Sequence, residues 1–133
     1  MKVCIFGAGA VGGHLATRLI NAGADEISIV ARGAMLKAIS ERGLTLRSNG
    51  KEEIHVQPKI ATDDPSTLPP QDVVLVTVKA HALSAAAPAI GKLLAPDGVA
   101  VFLLNGIPWW FQHGFKTGAS TLPLLDGAVD CVQ

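Results

Sequence analysis

Three things are scarce in this chain: excess charge of either sign, cysteine, and long apolar runs. Eleven Lys and Arg stand against eleven Asp and Glu. Without a concentrated positive field, a nucleic-acid or membrane-surface partner has no support. Every apolar run is broken by Gly, Pro or charge well short of the roughly 20 residues that span a bilayer. Met1-Lys2-Val3 leads straight into an apolar strand and a glycine turn, without the regions of a secretory signal, so a cytoplasmic location is the default expectation. Of the two cysteines, Cys4 lies inside the first apolar run and reads as a small buried core residue. Cys131, near the end, has no metal-ligand companion. Nothing recommends a disulfide, a CxxC redox pair or a metal site.

What is abundant is core-forming material. Hydrophobic residues make up 49% of the 133 and charged residues 17%, which suits one domain with one core. Val3 to Phe6 is a continuous apolar run. Val11, Leu15, Ala16, Leu19 and Ile20 then recur at helical spacing up to Asn21, where Asn21-Ala22-Gly23 supplies a stop. Ile27 to Ala31 reads as a second strand and Ala34 to Arg42 as a short helix ended by Gly43. Leu44 to Ser48 and Glu53 to Gln57 flank Asn49-Gly50, a dipeptide that favours a type I′ hairpin. Ile60 to Thr62 is a short strand candidate within a Pro- and Asp-rich connection. Asp72 to Val78 reads as a strand buried on both faces, Ala82 to Leu94 as an Ala-rich helix kinked or split at Pro88, and Gly98 to Leu104 as another buried strand. Alternating strands and helices with apolar strands predict a single α/β domain: a Rossmann-like, doubly wound parallel sheet in three α/β/α layers.

Gly7-Ala8-Gly9-Ala10-Val11-Gly12 matches G-x-G-x-x-G. Alone the pattern is weak, but here it follows a strand and opens a helix, which is the context a dinucleotide site requires. Gly7 allows the tight turn, Gly9 admits a pyrophosphate to the backbone, and Gly12 lets the helix pack closely on the sheet. The helix N-terminus then faces the phosphates. At the end of the second strand, where an NAD site usually carries Asp or Glu for the ribose 2′-hydroxyl, the chain reads Val30-Ala31-Arg32-Gly33. A guanidinium there favours a 2′-phosphate and hence NADP over NAD, the bland alternative being a solvated residue at a strand end.

Ligands of open α/β sheets gather at the carboxyl ends of the strands. Lys79 follows one predicted strand there and Asn105 another. Lys79 is placed to touch a ribose or phosphate, and Asn105 a ribose hydroxyl, a carboxamide or a substrate oxygen. Position alone does not separate these roles from ordinary solvation of Lys79 or a turn role for Asn105-Gly106. His81 reads as a helix-start residue rather than a proton donor, and His14, His55 and His113 have no visible partners of the kind catalysis needs. Trp109-Trp110-Phe111 reads as a surface packed against a neighbouring domain or subunit, a homodimer being one assembly it allows.

The four pieces Gly7-Ala8-Gly9-Ala10-Val11-Gly12, Val30-Ala31-Arg32-Gly33, Val76-Thr77-Val78-Lys79-Ala80 and Asn105-Gly106-Ile107 resemble, in order and spacing, the N-terminal domain of the ketopantoate reductase (2-dehydropantoate 2-reductase) family. The likeness runs from about Met1 to Phe111. It implies NADPH-dependent reduction of the 2-keto group of ketopantoate to pantoate, in pantothenate biosynthesis. It further implies that the glycine loop and Arg32 hold the phosphates, that Lys79 lies toward ribose and nicotinamide, and that Asn105 touches both cofactor and substrate. In that family the catalytic lysine and a substrate-binding glutamate belong to a following helical domain. The expectation is therefore a dinucleotide-binding unit over residues 1–115 and an irregular tail over residues 116–133 that begins a missing helical domain. No catalytic residue falls within the chain, which binds cofactor but turns over ketopantoate poorly or not at all. A dinucleotide-sensing module, and an NADP-dependent reductase of another 2-keto acid, remain alternatives.

Overall fold

The computed structural model describes residues 1–47 and 53–105. Its centre is a five-stranded sheet made of β1 (Val3–Phe6), β2 (Ile27–Val30), β5 (Ile60–Thr62), β6 (Gln71–Val76) and β7 (Leu94–Phe102), in the order β5-β2-β1-β6-β7. All four pairings are parallel. Among the described residues three α-helices accompany it: α1 (Ala10–Asn21), α2 (Gly33–Arg42) and α3 (Leu83–Leu93). The chain steps outward from β1 to β2 and β5, then returns to the other side of β1 as β6. That reversal is the topological switch point, where the carboxyl ends of neighbouring strands leave a crevice.

The sheet buries both faces because its central strands are mostly apolar. Cys4, Phe6, Val74 and Val76 pack with Leu83, Ala86, Ile90 and Leu93 of α3. Val3, Ile5, Ile27 and Ile29 pack with Ala16 of α1 and Ile39 of α2. Helix α1 ends as its sequence suggests, with Gly23 in the left-handed region (φ +95°) after the last turn, and Gly43 (φ +69°) closes α2.

A second, two-stranded sheet pairs β3 (Leu44–Leu46) antiparallel with β4 (Ile54–Val56). The predicted hairpin is therefore formed, while its Asn49-Gly50 turn lies outside the described residues. His55 Nδ1 lies 3.0 Å from the hydroxyl of Thr45, its cross-strand partner in this hairpin.

Four expectations are revised. The strand expected over Asp72–Val78 ends at Val76, because Thr77 turns its hydroxyl onto the glycine loop. Pro88 does not split α3, which runs unbroken from Leu83 to Leu93 behind a 3-10 turn at Ala80–Ala82. And β7 begins at Leu94 rather than Gly98, with a register shift opposite Gln71 and Val73. Nor is β7 buried on both faces: Ala100 and Phe102 pack toward α3, but Val99 and Val101 are 56% and 40% exposed among the described residues. No helix among the described residues is long and apolar enough to cross a membrane.

Candidate functional site

The crevice at the switch point is built by the loop between β1 and α1. Gly7 takes φ +111°, and a Cβ there would come within 3.0 Å of the Val78 side chain. Its N–H donates to the Val30 carbonyl at 3.0 Å, and its own carbonyl accepts from the Thr77 hydroxyl at 2.5 Å. Gly9 is the N-cap of α1, in extended backbone, with no side-chain cap and no acidic residue in the first turn. Among the described residues, nothing beyond its chain neighbours lies within 4 Å of where a Gly9 Cβ would stand. An uncapped helix N-terminus with open space before it leaves backbone N–H groups for an anion. Gly12 serves the opposite purpose. A Cβ there would fall 2.0 Å from the Gly7 carbonyl oxygen and 2.6 Å from Thr77 Oγ1, so only glycine lets α1 start this close to the sheet.

The loop opens onto a cavity of about 350 Å³, floored by Gly7, Ala8 and Gly9, a volume in the range of small-molecule sites. Arg32, Met35, Val78, Ala82 of the 3-10 turn, and Ala85 and Ala86 of α3 also line it. Apart from Arg32 these side chains are apolar, which suits a planar base. Arg32 is the N-cap of α2 and is exposed. Among the described residues its guanidinium is in none of the salt bridges, which join Lys37, Arg42, Arg47 and Lys59 to glutamates. Among the described residues, no carboxylate lines the cavity.

Of the residues expected to bind the cofactor, Gly7, Ala8, Gly9 and Arg32 line this cavity, and Ala10, Val11 and Gly12 form the first turn of α1 behind it. Lys79 and Asn105 do not line it. Both are exposed and sit farther along the same carboxyl edge of the sheet. Val76 pairs with Phe102, so each lies three residues past a paired position on adjacent strands. His81 is exposed in the 3-10 turn before α3, as its helix-start reading has it. His113, Cys131 and Trp109 to Phe111 fall outside the described residues.

Sequence reasoning passed over Met35, the α3 alanines and Thr77. Met35 and the alanines looked like ordinary helix-face residues, and Thr77 looked like a β-branched strand residue. The available signal for Thr77 was its place as the single hydroxyl in an apolar run, directly before the strand-end loop.

Two groups elsewhere are shifted by their surroundings. Burial pushes the Cys4 thiol up to about 12, against a smaller opposing effect of a backbone hydrogen bond from Val30. The Ser66 hydroxyl and then its N–H hold the Asp64 carboxyl below its ordinary range. Asp64 borders a second hollow of about 480 Å³ between the Pro65–Thr67 turn and α3, away from the glycine loop.

Comparison with known proteins agrees with this architecture. The model of the family described as "Ketopantoate reductase PanE/ApbA" matches residues 3–108. A curated 2-dehydropantoate 2-reductase from Mesorhizobium japonicum is 46% identical over 86% of this chain and 34% of its own length. A candidate ketopantoate reductase from Ralstonia solanacearum MolK2 superposes with a TM-score of 0.83 at 38% identity, covering 98% of this chain and 41% of that one. A D-mandelate dehydrogenase solved with NADH and anilino(oxo)acetate gives a TM-score of 0.70 at 29% identity, covering 81% of this chain and 34% of that one. The chain spans about a third of the length of the curated relatives it matches. With the family model covering most of the chain, and the glycine loop and parallel sheet in place beneath it, the chain belongs to the ketopantoate reductase PanE/ApbA family.

Proposed function

We propose that this chain is the cofactor-holding part of an NADPH-dependent reductase that converts 2-dehydropantoate to pantoate, with residues 1–115 as the dinucleotide-binding unit. The observation that carries the choice of cofactor is Arg32, an exposed cation lining a cavity with no carboxylate among the described residues around it. The rest of the site fits a dinucleotide. The space in front of Gly9 is open, the N-terminus of α1 is uncapped, and the walls beyond it are apolar.

Bound NADPH supplies the hydride. In this reading Gly7, Ala8, Gly9, Ala10, Val11 and Gly12 seat the pyrophosphate through backbone N–H groups and the positive end of α1. Arg32 holds the 2′-phosphate by paired, charge-assisted hydrogen bonds. Lys79 and Asn105, side by side along the strand ends, turn toward the ribose and nicotinamide. The Asn105 amide, with both a donor and an acceptor, also meets the small 2-keto acid. We assign no catalytic acid to this chain, and its setting in this reading is the cytoplasm. The choice of 2-dehydropantoate follows the family and its curated members.

A second reading, an NADH-using reductase of another 2-keto acid, draws on the D-mandelate dehydrogenase with its NADH. Titrating the chain with NADPH and NADH separates the two. NADPH binding at least tenfold tighter is expected, and equal or tighter NADH binding overturns the role given to Arg32. Ketopantoate-dependent NADPH oxidation by this chain is expected at background, and robust turnover would overturn the absence of a catalytic acid.

A further inference from the structure

Between Val73 and Val78 every residue is aliphatic except Thr77. A valine would have the same shape, so the hydroxyl calls for an explanation. The Thr77 N–H donates to the Phe6 carbonyl at 3.0 Å, carrying the β1–β6 ladder one step past the end of β6. Its hydroxyl then donates to the Gly7 carbonyl at 2.5 Å, with the Phe6 carbonyl a distant second at 3.3 Å. Gly7 is thus held from both flanking strands: its N–H by Val30 at the end of β2, its carbonyl by Thr77 beyond β6.

Because a trans peptide is planar, a Gly7 carbonyl fixed toward Thr77 fixes the Ala8 N–H in the opposite direction. The same point is closed from the helix side, since a Cβ on Gly12 would stand 2.6 Å from Thr77 Oγ1 and 2.0 Å from the Gly7 oxygen. Thr77, Gly7 and Gly12 form one packed junction of strand, loop and helix start. We propose that Thr77 is a positioning residue for the dinucleotide loop: its hydroxyl sets the orientation in which the loop offers its N–H groups to the pyrophosphate, without itself touching the cofactor. This inference rests on the dinucleotide reading above.

The test compares the full chain with its Thr77→Val and Thr77→Ser variants, by calorimetric titration with two probes. NADPH carries a pyrophosphate; adenosine 2′-monophosphate carries the base and 2′-phosphate but no pyrophosphate. Thr77→Val is expected to weaken NADPH about tenfold or more and to leave adenosine 2′-monophosphate within about twofold, while Thr77→Ser binds both as the wild type does. Equal losses for both probes would reduce Thr77 to a structural role and overturn the proposal, as would unchanged NADPH binding by Thr77→Val. Should Thr77→Val not fold, Thr77→Ser decides: NADPH binding within twofold of wild type supports the hydroxyl's role, and a tenfold loss with the hydroxyl retained overturns it. A wild-type chain that binds neither probe would instead sink the dinucleotide reading itself, and this inference with it.

Discussion

NADP and NAD differ by one phosphate, so a single side chain can separate them, and the one proposed for that role is Arg32, just past the end of β2. A hydrogen bond to a charged group contributes about 1.5–3 kcal/mol, or roughly 10- to 100-fold in affinity. Arg32→Ala is therefore expected to weaken NADPH by that factor and to leave NADH within about twofold, as read by calorimetric titration of each. The place of Arg32 was legible in the sequence because it depends on chain position alone, and the role proposed for it follows from a cation standing where an NAD site usually carries a carboxylate. Thr77 was not, because its hydroxyl finds its partner 70 residues away. Cys4 was legible as core, and it is fully buried. With its thiol raised from 9.0 to about 12 in the fold, the unfolded chain ionises first as pH rises. Stability is intact below about pH 9 and falls as pH climbs toward 12. Thermal melts from pH 7 to 10.5 should show a fall that is shallower in Cys4→Ala, and parallel slopes for the two proteins would count against the burial argument.

At the scale of the element, the β1–loop–α1 unit assigns different work to glycines five and three residues apart. Gly12→Ala forces a Cβ onto the Gly7 carbonyl, an overpacking that costs about 1–3 kcal/mol and lowers the melting temperature whether or not cofactor is present. Gly9→Ala meets no described residue beyond its chain neighbours within 4 Å. As a helix cap, alanine costs about 0.5–2 kcal/mol relative to the better capping residues, from which glycine itself already differs by a few tenths, and its methyl group would stand in open space. It is expected to retain most of its stability and lose NADPH affinity, so denaturant titration and NADPH titration should rank the two variants in opposite order. This unit could be read from sequence because strand, glycines and helix are contiguous. The start of β7 could not. Ala95-Pro96-Asp97-Gly98 looks like a turn, yet it runs within β7, because Gly98 lets the backbone pass close to Gln71, whose carbonyl would lie 2.7 Å from a Cβ there. Nor does an apolar run reveal whether its strand is central or, like β7, at the sheet edge with a face uncovered by described residues.

Taken as a whole molecule, the order β5-β2-β1-β6-β7 gathers the ends of β1, β2 and β6 and the start of α3 around one cavity, although Phe6 and Ala86 are 80 residues apart in sequence. Alternation of strands and helices announced a parallel sheet, but the cavity's walls depend on which strands are neighbours and on where α3 begins, which only the fold decides. A ligand that bridges these elements should therefore stabilise all of them together. At a hundred times its dissociation constant it contributes about 2.7 kcal/mol, which for a domain of this size raises Tm by roughly 10 °C. If Arg32→Ala weakens NADPH about 30-fold, the same NADPH concentration is only about three times the new dissociation constant, and the gain falls to about a third of its former size. The NADH shift, small in both proteins, should not change. Thermal melts of wild type and Arg32→Ala with each cofactor thus carry the whole argument. Equal shifts with NADPH and NADH in the wild type would remove Arg32 from the choice of cofactor, and no shift with either would mean that the strand ends do not hold a dinucleotide at all.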